Sequence, residues 1–167
     1  MEPTDRRLRP PAAPVDTADS VDAAALRDAA EILARARADE TAADEARVRY
    51  RGQLMRPLEP DPSIAPLLAP GEVVLAVRRL AILDRREPAI GTGAPAGLAG
   101  DLYLTSRRLV LAGRHALSFD LGEIEEVMLA GERLLLVLGD GNGASLYVDR
   151  PRLLRVELAA ARAMARA

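Results

Sequence analysis

The chain has 167 residues, 49% of them hydrophobic, with a formal net charge of −2 and no cysteine. That length suits one packed domain with an appendage, and the charge excludes a general polyanion binder, because nucleic-acid domains carry a basic excess. The missing cysteines exclude disulfides, thiolate metal centres and cysteine nucleophiles.

The only aromatic residues are Tyr50, Tyr103, Phe119 and Tyr147, so any core is aliphatic. Every basic residue other than His115 is arginine, and with the abundant Ala, Pro and Gly this reads as a GC-rich coding bias. The N-terminus lacks an apolar signal core, and no run approaches the ~18 apolar residues of a spanning helix. The expected location is cytoplasmic, with the inner membrane face as a peripheral alternative.

Residues 1–17 hold four prolines among charges and small side chains. They bury too little to offset ordering entropy and are expected to be disordered. Residues 18–55 form a helical arm, capped by Asp19 or Ser20 and free of Gly and Pro from Val21 to Arg51. Its large apolar residues are sparse. Leu26, Ile32, Leu33, Val48, Tyr50 and Leu54 are the candidate partner-binding or self-association positions, and nothing between Ala34 and Arg47 demands a core. Residues 56–70 contain five prolines and read as an extended linker, with Ile64, Leu67 and Leu68 able to dock on a neighbour.

From Gly71 onward the pattern is β. Glu72–Leu83 alternates Val73, Leu75 and Val77, then switches phase to Leu80 and Ile82, which predicts a bulge or bend near Arg78-Arg79. A long loop is expected over residues 85–97. Leu98–Thr105 and Arg108–Gly113 form a hairpin with one buried face, carrying Leu102, Leu104, Leu109 and Leu111. Strands follow at His115–Leu121, Ile124–Ala130, Arg133–Leu138 and Ala144–Val148. Gly131-Glu132 and Asp140-Gly141-Asn142-Gly143 make the turns, since Gly and Asn accept positive φ. The period then becomes helical: Asp149 is placed to cap, Pro151 suits the first turn, and Leu154, Leu158, Ala161 and Ala165 make a stripe that needs an apolar surface.

The segments PGEVVLA at Pro70–Ala76, GDLYLTSRRLVL at Gly100–Leu111, LSFDLGEIEEV at Leu117–Val127 and LLLVLGDG at Leu134–Gly141 resemble the GRAM branch of pleckstrin-homology-like domains, over about residues 66–167. The resemblance implies a seven-stranded antiparallel barrel capped by the C-terminal helix, preceded here by the helical arm. It also implies a non-enzymatic module that binds proteins, peptides or lipids, without a cofactor. Lipid-binding relatives gather basic residues on the first two strands and their loop, which corresponds here to Arg78, Arg79, Arg85 and Arg86, with Arg107 and Arg108 on the next turn. The leading expectation is protein–protein interaction or assembly, with an unidentified protein or a second copy as partner. Weak attachment to an anionic membrane surface through the arginine-bearing loop is the alternative, and no nucleic acid is expected.

No catalytic or metal residue is assigned. His115 is alone and reads as a tucked strand-edge histidine. Ser106 and Ser118 lack a neighbouring base. Glu123, Glu125 and Glu126 read as a solvated edge. The glycine-rich run Gly91–Gly97 lacks the ending of a phosphate loop.

Overall fold

In a computed structural model the structure describes residues 17–86 and 97–166. The predicted disordered tail, up to residue 16, and residues 87–96 of the long loop, which include most of Gly91–Gly97, lie outside the described residues. Helix α1 covers Thr17–Tyr50, and the chain divides into two units, residues 1–34 and 35–167. In the first unit Leu26, Ile32 and Leu33 are exposed.

The second unit is built on one antiparallel sheet. Its strands are β1 (Val74–Arg86), β2 (Leu98–Thr105), β3 (Arg108–Gly113), β4 (Leu117–Asp120), β5 (Ile124–Ala130), β6 (Arg133–Leu138) and β7 (Gly143–Tyr147), and the chain closes with helix α2 (Pro151–Arg166). The order is β4-β3-β2-β1-β7-β6-β5, so β4 and β5 are the edges. The long β1 joins the two halves: it pairs with β2 over Val74–Leu83 and with β7 over Ile82–Arg86. Cross-strand partners such as Leu83, Leu146 and Leu134 share the core face.

The predicted bulge is present, as a register shift between Arg78 and Ala81. The inward residues differ from the expectation. Ala81 and Leu83 enter the core, while Ile82 is exposed and Leu80 is 87% exposed with φ of 56°. Two register shifts, at Val74–Ala76 and at Arg78–Ala81, each reverse the alternation, so Ala76 and Arg78 turn inward between them and Ala81 and Leu83 after the second. The Asp101 carboxylate accepts the Leu80 N–H at 3.2 Å and holds this left-handed corner.

The β2–β3 hairpin is buried on both faces rather than one. Leu102, Leu104, Leu109 and Leu111 face the main core, whereas Tyr103 and Val110 pack with Ile64 and Val74 in a second cluster. Residues 56–70 therefore do more than space two parts. Leu58 bridges Val74, Ile64 is fully buried, and Leu68 packs against the second cluster. Gly100 and Gly113 face one another, and a Cβ on either would come within 2.4 Å or 2.3 Å of the opposing carbonyl oxygen. Only glycine permits that approach. Along strand β6, after the exposed Arg133, buried and half-buried residues alternate, so one face is fully enclosed. At the β6–β7 turn Gly141 has φ of 79° and the Asn142 N–H donates to Asp140.

Helix α2 seats Leu154, Leu158 and Ala161 in the main core, while Ala165 is exposed. Fully burying each leucine stabilises by about 2 kcal/mol. Its cap differs from the expectation. Arg150 takes a positive φ of 53°, Asp149 stays exposed, and the Asp39 carboxylate accepts the N–H groups of Arg152 and Leu153 at 2.8 and 3.0 Å. A carboxylate from α1 thus satisfies donors that a helix start leaves open. Asp39, Ala43 and Ala46 are buried, so one face of the stretch 35–47 is packed although that stretch lacks large apolar side chains. Alanine lets a helix approach closely where a leucine would not.

Candidate functional site

Three of the six arginines singled out from the sequence, Arg78, Arg79 and Arg108, are spent on the fold. Arg78 turns inward, and its Nη2 donates to Glu157 Oε2 at 2.5 Å, each side chain 10% exposed. Burial pushes the Glu157 carboxyl above its ordinary value, opposed by the Arg78 charge. Arg79 pairs with Asp61 at 2.9 Å and with Asp101, and it reaches the Tyr103 hydroxyl at 3.2 Å. Hydrogen bonds from Ser63 and Tyr103 hold the Asp61 carboxyl well below the usual carboxylate range. This network ties the proline-rich segment to the bulge.

Arg108 grips Glu72 with two hydrogen bonds, at 2.9 and 3.0 Å, and donates to the Leu67 carbonyl at 2.6 Å. Burial pushes the Glu72 carboxyl up, but Arg108, the Thr105 hydroxyl and the Ala69 N–H together hold it at about 2. Arg107 is exposed, with one contact of 3.3 Å to the Pro70 carbonyl. Arg85 and Arg86 end β1 opposite Ala144 and Gly143, and their side chains lie outside the described residues. The four described side chains, Arg78, Arg79, Arg107 and Arg108, do not converge on one anion site.

The arm residues also separate. Val48 and Leu54 are exposed, whereas Tyr50 is half-buried against the main core. His115 lies before β4 and is exposed, not tucked, because β4 starts two residues later than expected and leaves it in a bend. Ser106 Oγ accepts the Val73 N–H at 3.2 Å, and Ser118 is exposed on β4 opposite Val110. No group of three or more metal-ligating side chains occurs among the described residues.

What the fold builds instead is a groove of about 470 Å³ along the open edge of β5. One wall is the Glu125-Glu126-Val127 edge, the other is Arg155, Val156, Ala159 and Arg162 of α2, and Arg47 of α1 closes one side. The α2 residues share a face because positions three, four and seven apart lie on one side of a helix. Arg47 is engaged by Glu40 at 3.2 Å and by Asp44. Arg162 donates to the Glu125 carbonyl at 3.4 Å, its Nε is buried without a partner, and no carboxylate pairs with it among the described residues. Arg155 is exposed and has no partner among them. An edge strand offers backbone donors and acceptors to any extended segment laid beside it, and this edge runs beside a cationic wall with an apolar floor. Sequence reading noted Glu125 and Glu126 only as solvated edge. The signal it passed over was the i, i+7 pair Arg155 and Arg162 on the rim of the buried stripe.

No protein-family model matches the chain, and no curated protein is significantly similar to it. Among solved structures it is similar to the Vps36 N-terminal PH domain, with 20% identity and a TM-score of 0.45 over 65% of this chain and 91% of that one. It is also similar to the PH domain of USP37, with 20% identity and a TM-score of 0.38 over 52% of this chain and 95% of that one. A third similar structure is the C-terminal domain of an unknown protein from Leishmania infantum, with 16% identity and a TM-score of 0.37 over 51% and 76% of the two chains. One seven-stranded antiparallel sheet closed by a C-terminal helix is the pleckstrin-homology-like layout.

Proposed function

We propose that this chain is a non-enzymatic pleckstrin-homology-like module of the GRAM branch, working in protein–protein interaction or assembly in a bacterial-type cytoplasm. Residues 35–167 are its binding unit, and the exposed Leu26, Ile32 and Leu33 of α1 are a second contact, for a partner or another copy. The observation that carries the reading is the open β5 edge beside the arginine-rimmed face of α2. Such an edge takes a partner by strand addition: backbone hydrogen bonds supply affinity and flanking side chains supply specificity. The membrane alternative ranks second, because Arg78, Arg79 and Arg108 are each set against a carboxylate. No helix among the described residues is long and apolar enough to cross a membrane.

The test is selection of random displayed peptides on the full chain, followed by amide NMR mapping. Selected peptides are expected to shift amides of Ile124–Ala130 and of Arg155–Arg162. Shifts confined to other surfaces overturn the site. Tight binding to anionic vesicles that survives high salt puts the membrane reading first.

A further inference from the structure

Resting on that reading, we infer that the segment taken by β5 is an extended strand with acidic residues at alternate positions on its α2-facing side and a basic residue between them. The inference comes from how charge divides between the two faces of this edge. Val127 pairs with the core residue Leu136 and so points to the side where α2 lies, while Glu126 pairs with Val137 and lies on the opposite face. Side chains of an added strand alternate in the same way. Every second one faces Arg155 and Arg162 across the floor of Val127, Val156 and Ala159, and the others fall on the Glu126 side.

The positive wall lacks negative partners of its own. Among the described residues Arg155 has none, and Arg162 has only a long contact to a carbonyl. By contrast Arg47 carries Glu40 and Asp44. Arginine favours carboxylate or phosphate oxygens through its planar fork of donors. Arg155 and Arg162 are two helical turns apart, about 10.5 Å along the axis, or roughly three residues of strand at about 3.4 Å each. Carboxylates two or four residues apart on the added strand thus come within reach of both flexible side chains. On the other face a basic residue opposite Glu126 forms a favourable cross-strand pair, and an acidic one is repelled. The same edge disfavours a second copy of itself, since paired β5 strands would bring Glu125 and Glu126 of each copy together.

Three nine-residue peptides titrated into the full chain test this, by calorimetry and amide NMR. The first alternates Glu with Val and Lys. The second has the same composition in blocks, and the third replaces every Glu by Gln. The first is expected to bind at least tenfold more tightly than either control, with shifts in β5 and α2, and Arg155→Ala should weaken it several-fold without weakening the Gln peptide. Equal binding of the blocked peptide overturns the alternation. Binding of the Gln peptide as tightly as the first, with shifts in the same groove, overturns the acidic partner and leaves the groove standing. If no peptide, including any from the displayed selection, shifts the groove, both readings fall.

Discussion

The arginines at the β1 bulge and those on α2 beside β5 belong to one residue type in two electrostatic situations. Arg78, Arg79 and Arg108 are placed by β1 and the β2–β3 turn against Glu157, Asp61 with Asp101, and Glu72. Their charge is cancelled locally and their geometry is fixed, so they hold elements together. Arg155 and Arg162 face an open edge without a carboxylate partner among the described residues. A charge left uncancelled beside unpaired backbone is available to a ligand. Clustering in sequence does not tell which arginines are paired: Arg78, Arg79 and Arg108 are set against carboxylates, and Arg155 and Arg162 of α2 face the groove.

The contrast breaks most visibly at Glu157. Glu157→Ala leaves the Arg78 charge buried without its partner and should cost about 3–5 kcal/mol in urea unfolding. Because burial raises the Glu157 carboxyl, the pair itself stabilises little, and Arg78→Met/Glu157→Leu should recover most of the loss. A double variant as unstable as the single one refutes this account.

Glu72 sharpens the same point through pH. Its folded pKa of about 2 lies below the ordinary 4.5. The stability it contributes is present above about 4.5 and is lost as pH falls through about 2. The melting-temperature gap between the parent and Glu72→Gln should be full at pH 6 and close progressively below pH 4.5. A gap that does not change between pH 6 and 2.5 contradicts the Arg108 pairing.

Asp39→Ala removes the cap of α2 and should cost about 1–2 kcal/mol, with faster hydrogen exchange at Arg152 and Leu153. Exchange at parental rates there would show that the cap is not made in solution. The smallest effect belongs to the other arginine set: Arg155→Ala should move stability by no more than about 0.5 kcal/mol while weakening peptide binding. A larger loss of stability would put Arg155 among the structural arginines.

Much of the sheet was legible because its signals are local. The bounds of β2, β3, β5 and β6 coincide with the expected ones. Alternation of apolar residues, and glycines at turns such as Gly131 and Gly141 with positive φ, depend only on near neighbours. The stripe of Leu154, Leu158 and Ala161 likewise announced a seated helix. The bulge at Arg78–Ala81 was legible as a position but not as a geometry, since one inserted residue decides whether Leu80 or Ala81 turns inward.

The sequence by itself determined the strand count and the C-terminal helix, because periodicity and turn chemistry are written within a few residues. Only the tertiary structure decided which arginines are neutralised, that Asp39 caps α2 across 113 residues of chain, and that Ile64 covers the second face of the hairpin. It also decided that β5 is an edge and that Arg155 and Arg162 border it. Those outcomes depend on pairings between segments far apart in the chain, and an ion pair, a cap or an open edge exists only once the sheet has set its order.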